Sequence, residues 1–236
     1  MSKIPAISVF FPAYNEEKNI KSTVEKALAI LPKIAEKYEV IVVNDGSTDN
    51  TMKIIQDISE KNTEVRLISH EINKGYGASL KTGFYSSVNP LICFTDSDGQ
   101  FDFSEIENFL PQLEQADLVV GYRKKRTEGL VRRTNAMAWT SLIGILFGLK
   151  VRDLDCGFKV VKKKVIDKIP KLESGGAMIS AELLVKAKKM GFKIAEAPVT
   201  HYSRKAGVQT GANLKVIARA FAELIRLYPK LQKLHA

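Results

Sequence analysis

Residues 91–95, Leu-Ile-Cys-Phe-Thr, form an apolar run that ends abruptly in Asp96-Ser97-Asp98-Gly99-Gln100. Two carboxylates one residue apart, where a buried strand opens into a loop, suit a hard divalent cation whose other positions are filled by water and phosphate oxygens, and Gln100 adds a neutral oxygen donor. An Asp-x-Asp triplet alone fits an ordinary turn equally well. Its place at a strand end favours chemistry, because two anions side by side in a partly buried site are costly unless a cation neutralises them. Asp45 comes just after a second apolar run, 40–43, with Asn44 between, and its carboxylate is placed to accept hydrogen bonds from a base or ribose; Gly46 suits a tight turn, and Ser47, Thr48 or Asp49 a helix cap. Lys74, Gly75 and Gly77 make a phosphate-friendly loop whose spacing is neither a Walker loop nor a dinucleotide fingerprint.

These residues need elements to hold them. Strand patterns at 6–11, 40–43, 65–69 and 91–95 alternate with helical patterns over 16–34, through 58 and to about 87. Such alternation predicts an α/β fold, a mostly parallel sheet with helices on both faces. Ligands bind such sheets beyond the carboxyl ends of the strands. Segments 12–16, 44–49 and 96–100 follow a strand directly and 73–77 follows one after three residues, so four loops distant in sequence should converge on one crevice. Beyond 100 the pattern predicts a helix over 103–115, a strand over 117–121, a basic loop over 123–133 and an apolar helix over 136–149. A helix over 163–169, a Gly175-Gly176 turn, a helix over 180–190 with Ser180 as its N-cap, and a strand over 192–199 follow. A basic loop over 201–211 leads into an amphipathic helix over 212–231. There is no internal repeat, low-complexity tract or linker, so residues 1–236 read as one domain.

The chain has 236 residues, 45% of them hydrophobic, which is enough for a real core and excludes a disordered protein. Cys93 and Cys156 are far apart and Cys93 sits in a strand pattern, so a reducing compartment is expected and a disulfide framework is not. No signal-peptide pattern opens the sequence. The uncharged apolar stretch 136–149 spans about 21 Å as a helix, short of the roughly 30 Å hydrocarbon core. Residues 1–100 carry 11 Lys+Arg against 13 Asp+Glu and residues 101–236 carry 25 against 13, so the net charge of +10 divides into −2 and +12. The second half therefore faces something anionic: a phosphate-bearing substrate, an anionic membrane surface or nucleic acid.

Taken in order, Pro12-Ala-Tyr-Asn-Glu16, Val43-Asn-Asp-Gly-Ser-Thr-Asp-Asn-Thr51, Asn73-Lys-Gly-Tyr-Gly-Ala78 and Asp96-Ser-Asp-Gly-Gln100 resemble the family 2 glycosyltransferases, which use nucleotide sugars on a GT-A fold. Residues 122–211 more narrowly resemble the polyprenyl-phosphate branch, the dolichyl-phosphate mannose and glucose synthases, through Gly121-Tyr-Arg123, Asp153-Leu-Asp-Cys-Gly-Phe-Lys159, Ala181-Glu182 and 199–207 with Arg204. The resemblance implies that Pro12, Tyr14, Glu16, Val43 and Asp45 contact the nucleotide, with Lys74, Gly75, Ser97 and Arg123 also on the nucleotide sugar. It implies that Asp96, Asp98 and Gln100 hold Mg²⁺ or Mn²⁺ on the diphosphate, and that Arg123 and Arg204 neutralise phosphate charge. Residues 1–121 would then be the nucleotide-sugar half, 122–211 the acceptor half and 212–236 an amphipathic appendage. Two departures stand out: Tyr122 replaces the commoner Ser of Gly-Ser-Arg, and Asp155 stands where glucose-type enzymes often have Gln.

A phosphate monoester is largely dianionic at neutral pH, so a polyprenyl phosphate acceptor needs cations more than it needs a base. Arg123, Lys124, Lys125, Arg126, Arg132 and Arg133 supply them, with Arg204 on the later loop. Asp153 or Asp155 would serve as base or orienting group, or merely cap the turn before Gly157. The expected activity is an inverting, metal-dependent hexose transfer from GDP-mannose or UDP-glucose to polyprenyl phosphate, with Asp98 and Arg204 on the departing diphosphate. The alternatives are a family 2 transferase acting on a hydroxyl acceptor in polysaccharide or glycan synthesis, and a non-catalytic basic nucleic-acid binder. Lys and Arg are not interleaved with stacking aromatics, which disfavours the latter. Trp139 and Phe147 suit a lipid interface, and the helix at 212–231 suits an anionic leaflet as well as it suits packing on its own domain. The expected location is the cytoplasmic face of a membrane, the protein being peripheral there, paired with a membrane-spanning partner, or part of a longer chain.

Overall fold

The computed structural model describes residues 3–124, 129–204 and 214–234. Lys125, Arg126 and the 205–211 part of the second basic loop lie outside the described residues. Four strands of the first half, β1 (Ile4–Ala13), β2 (Ala35–Asp45), β3 (Val65–His70) and β4 (Leu91–Thr95), pair in parallel, with α1 (Ile20–Ile34), α2 (Thr51–Ser59) and α3 (Tyr76–Ser86) between them. The second half adds α4 (Leu130–Phe147), α5 (Lys163–Lys168), α6 (Met178–Lys189) and α7 (Leu214–Gln232), with β5 (Leu118–Arg123), β6 (Phe158–Lys162) and β7 (Ile194–Val199). The sheet order is β3-β2-β1-β4-β6-β5-β7. Among the described residues only β6 runs against its neighbours. Its reversal brings residues 153–157, which precede it, to the edge where the other strands end.

Alternation along the strands sends successive side chains to opposite faces. Phe10, Ile41, Val43, Ile92 and Phe94 pack with Leu80 and Phe84 of α3 and with residues of α4, α6 and α7. Val9, Phe11, Val40, Val42 and Cys93 pack with Ile20, Val24 and Leu31 of α1 and Ile55 of α2. Burial on both faces is why these strands read as continuous apolar runs.

Several boundaries differ from expectation. Residues 103–115 form two 3-10 turns, Phe103–Asn108 and Leu110–Glu114, instead of one helix. Asp102 caps the first through the Ser104 amide at 3.0 Å, and Pro111, which has no N–H, prevents a continuous ladder. The helix placed at 136–149 starts at Leu130, so Arg132 and Arg133 lie on a helical first turn and not in a loop. Ser180 lies inside α6; its hydroxyl is 3.4 Å from the Lys159 ammonium, and Ala177 takes the cap position. The nine-residue run of partners from β1 extends β2 back to Ala35, far beyond the apolar core at 40–43. Strand β6 itself was not marked by any sequence pattern.

Phe10 has no exposed surface; its ring stacks on Phe94 at 5.5 Å and meets Phe84 edge-on at 5.0 Å. Phe10→Ala should destabilise the domain by about 3–5 kcal/mol, read as a lowered denaturant midpoint at unchanged slope.

Candidate active site

The turn after β4 is fixed from beneath. Ser97 points inward and donates to the Pro12 carbonyl at 2.7 Å, while Thr23 of α1 donates to the Ser97 carbonyl at 3.1 Å. Both contacts are structural, so Ser97 pegs the turn to β1 and α1. With the turn held, Asp96 accepts from the Tyr76 hydroxyl at 2.9 Å and its amide donates to the Gly157 carbonyl at 3.0 Å. A Cβ at Gly157 would overlap the Asp96 carboxylate, so glycine is required for this approach. Asp98 accepts from the Gln100 amide at 3.1 Å and lies 3.6 Å from the Arg204 guanidinium. Arg204 also pairs with Glu16, whose other oxygen accepts from Asn19 at 2.7 Å.

The electrostatics are those of crowded anions. Burial, and after it the charge of Asp98, push the Asp96 carboxyl up to about 7, against the opposing Tyr76 hydrogen bond and the positive charges of Lys159 and Arg123. Burial is also the main cause raising Glu16, with Asp98 adding to it while Asn19 and Arg204 oppose. Tyr76 is held well above the usual phenol range by burial and then by Asp96, so it remains a proton donor. Lys159, fully buried on β6, donates to the Cys156 carbonyl at 2.6 Å and lies 5.2 Å from the centre of the Phe94 ring; burial lowers its pKa.

This donor set fits a divalent cation. Two neighbouring carboxylates resist full ionisation without one, and they stand as a pair: among the described residues no group of three or more His, Cys, Asp or Glu side chains forms a metal cluster, here or elsewhere. A cation held by two carboxylates would take its remaining ligands from water or from a bound substrate, as is usual for Mg²⁺. Gln100 contributes at most its amide oxygen: the nitrogen donates to the Tyr202 carbonyl at 2.9 Å.

The loops after β1 and β2 are stitched together. Asn15, at φ 55°, accepts from the Thr48 amide at 2.8 Å and donates its own amide to Ser47 at 3.0 Å, and the Glu16 amide donates to Thr51 at 2.8 Å. Tyr14 stands 43% exposed beside them. Asp45 accepts from the Lys74 and Gly75 amides at 2.9 and 2.8 Å and lies 2.6 Å from His70 Nδ1, so its carboxylate shapes the 74–77 loop. Val43 offers backbone alone, because its side chain faces the core with no exposure.

On the other side, Asp153 is bound by Arg123 through two guanidinium nitrogens, at 2.6 and 2.8 Å. A carboxylate so engaged orients Arg123 and is a poor base, which favours the orienting role among the alternatives open to Asp153. Asp155 is exposed, and its charge acts on both Tyr76 and Lys159. Arg132 is half-buried and Arg133 exposed on the first turn of α4. The structure thus joins Pro12, Glu16, Asp96, Ser97, Asp98, Gln100 and Arg204 directly, and Asp45, Lys74 and Gly75 through Tyr76. Tyr76, Lys159, Asn15 and His70 were missed. A lysine inside an apolar run was the one available signal, since buried lysines cluster at functional sites.

A mostly parallel sheet whose strand-end loops surround a paired-carboxylate turn defines the GT-A class of transferase folds. The chain belongs to glycosyl transferase family 2, whose pattern it matches over residues 8–170. It is 30% identical over 206 residues to dodecaprenyl-phosphate galacturonate synthase of Rhizobium johnstonii, an alignment covering 86% of this chain and 60% of that protein. It is 31% identical over 206 residues to dolichyl-phosphate beta-glucosyltransferase ALG5C of Trichomonas vaginalis, covering 80% of this chain and 61% of that protein. The chain therefore spans about three fifths of the length of these relatives. Among solved structures, glucosyl-3-phosphoglycerate synthase of Mycobacterium tuberculosis with Mn²⁺, UDP-glucose and phosphoglyceric acid superposes with a TM-score of 0.70 at 19% identity, over 97% of this chain and 80% of that one.

Because Asp96 must lose its proton to bind a cation, Mn²⁺ affinity should rise about tenfold per pH unit below pH 7 and level off above it. Calorimetry in two buffers of different ionisation enthalpy checks this through the proton released on binding.

Proposed function

We propose that the chain transfers a hexose from a nucleoside diphosphate to a polyprenyl phosphate, with inversion and with Mg²⁺ or Mn²⁺. The observation that carries the reading is the meeting of Asp96 and Asp98 with Arg204 at the carboxyl edge of the sheet. The names of the relatives, dodecaprenyl-phosphate galacturonate synthase and dolichyl-phosphate glucosyltransferases, support the acceptor class. In this reading residues 1–121 hold the donor and 122–211 the acceptor. Tyr14 and the stitched loops at 12–17 and 44–51 bind the nucleoside, the 74–77 loop lies along the diphosphate, and Asp96 and Asp98 hold the cation with the Gln100 oxygen nearby.

Bound there, the cation supplies charge neutralisation for the departing diphosphate. Arg204 exchanges Glu16 and Asp98 for phosphate oxygens, and Arg123, aligned by Asp153, faces the acceptor phosphate with Arg132 and Arg133 behind it. The dianionic acceptor attacks without a base. For a hydroxyl acceptor, the alternative, the exposed Asp155 is the carboxylate suited to take the proton.

The acceptor's lipid tail calls for a surface. Among the described residues no helix is long and apolar enough to cross a membrane. Met137 and Ile145 of α4 and Phe221, Ile225 and Tyr228 of α7 are exposed, and the helices are joined by Trp139 against Phe221 at 5.3 Å and Phe147 against Tyr228 at 5.7 Å. Exposed Arg133, Lys215, Arg226 and Lys230 accompany them. An apolar surface with basic surroundings suits an anionic leaflet at the cytoplasmic face of a membrane, with or without a membrane-spanning partner.

Radiolabel from UDP-glucose or GDP-mannose should enter organic-extractable dolichyl or undecaprenyl phosphate only with added Mn²⁺ or Mg²⁺, and Asp98→Ala should lower kcat/KM about a thousandfold. Label appearing on a sugar hydroxyl with none in lipid counts against the acceptor. Flotation with vesicles containing anionic lipid should recover the wild-type chain, and Ile225→Ser should weaken recovery severalfold.

A further inference from the structure

Glu223 of α7 is buried, and nothing in the transfer reading uses it. Its two carboxylate oxygens accept from the Gly175 and Gly176 amides at 3.0 and 3.3 Å. The two preceding amides, Glu173 and Ser174, donate to Glu182 of α6, each at 2.8 Å, and Lys186 bridges to Glu182 at 2.6 Å. Two acidic side chains from different helices thus hold four successive backbone N–H groups, an arrangement that otherwise captures an anion.

The turn they hold bears on the donor site. Gly77 donates to the Gly175 carbonyl at 3.1 Å, and a Cβ at Gly77 would stand 2.6 Å from the Gly175 carbonyl carbon and 2.7 Å from the Ser174 oxygen. The two backbones touch with no side chain between them. Gly77 follows Tyr76, whose hydroxyl holds Asp96, and the Gly75 amide is held by Asp45. The 74–77 loop is therefore gripped by Asp45 on one side and by the Gly175-Gly176 turn on the other. Glu182 belongs to a helix buried along most of its length, whereas Glu223 comes from α7, whose outer face is exposed.

We propose that Glu223 is a positioning residue of the donor site: by pressing Gly175-Gly176 against Gly77 it fixes Tyr76 and, through it, Asp96, so that its hold on the turn sets the affinity for the nucleoside diphosphate. The proposal rests on the sugar-transfer reading. Charge-assisted bonds to two amides are strong enough for their loss to shift a loop measurably.

The test compares the wild-type chain with Glu223→Ala, Glu223→Gln and Gln232→Ala, the last removing an α7–α4 bond (Gln232 to the Leu146 carbonyl, 2.9 Å) away from the turn. Donor and acceptor KM are measured separately, and Mn²⁺ with UDP or GDP is titrated by calorimetry. Glu223→Ala should raise the donor KM and the nucleotide Kd about tenfold, with the acceptor KM within about twofold, and Glu223→Gln should fall between the two. Gln232→Ala should lower the melting temperature and leave the donor KM alone. An unchanged donor KM in Glu223→Ala, donor and acceptor constants rising together, or a fall in kcat alone overturns the proposal while the transfer reading stands. If Glu223→Ala does not fold, Glu223→Gln decides by the same donor KM. A wild-type chain that binds no nucleotide overturns both.

Discussion

Asp96 and Asp98 bring two negative charges to one partly buried strand end, and the carboxyl edge of the sheet is built around that repulsion. Low dielectric makes such a pair expensive and makes each nearby cation count. Arg204 arrives from 188 residues away to pair with Glu16 and to approach Asp98. Lys159 lies buried below, and Tyr76 donates to Asp96 from the side. Each comes from a different element, so the sheet, the α3 loop and the late basic segment must all be in place before the charges are met.

The same economy appears in the surrounding loops. Asp45, Asn15 and Glu223 spend their polar groups on backbone amides, turning irregular segments into fixed walls without regular secondary structure. Asp153 does this with the Arg123 amide at 3.3 Å while also pairing with its guanidinium, tying β5 to the segment leading into β6. The arrangement follows from the requirement that buried backbone donors be paired: where a ladder ends, side chains take over.

Much of this was legible beforehand because the strands are buried on both faces and their ends are marked by abrupt changes of residue type, as at Thr95 to Asp96 and Val43 to Asp45. The convergence of four loops follows from parallel topology alone. What was not legible depends on partners distant in sequence. Phe158–Lys162 has no alternation to mark a strand and becomes one because β4 and β5 each offer it an edge. That Asp45 holds the Lys74 and Gly75 amides, and that Asp153, of the roles open to it, pairs with Arg123, depends on partners about 30 residues away. Tyr76 gave no sign, since one exposed-looking aromatic in a glycine loop resembles any other. The 3-10 turns at 103–114 show local chemistry, a capping Asp102 and Pro111, prevailing over helical periodicity.

The reversed strand has a consequence for how the chain is made. Strands β1 to β4 are contiguous in sequence and pair only with one another until residues 158–162 exist, so they can assemble as the chain emerges. Throughout that interval β4 is an open edge, five residues of apolar strand with no neighbour on one side. More than sixty residues must be synthesised before β6 covers it, at translation speeds of roughly 5–20 residues per second. The strand that carries the paired-carboxylate turn is thus also an uncovered edge of the nascent chain, a consequence of the late-made β6 being the strand that lies between β4 and β5.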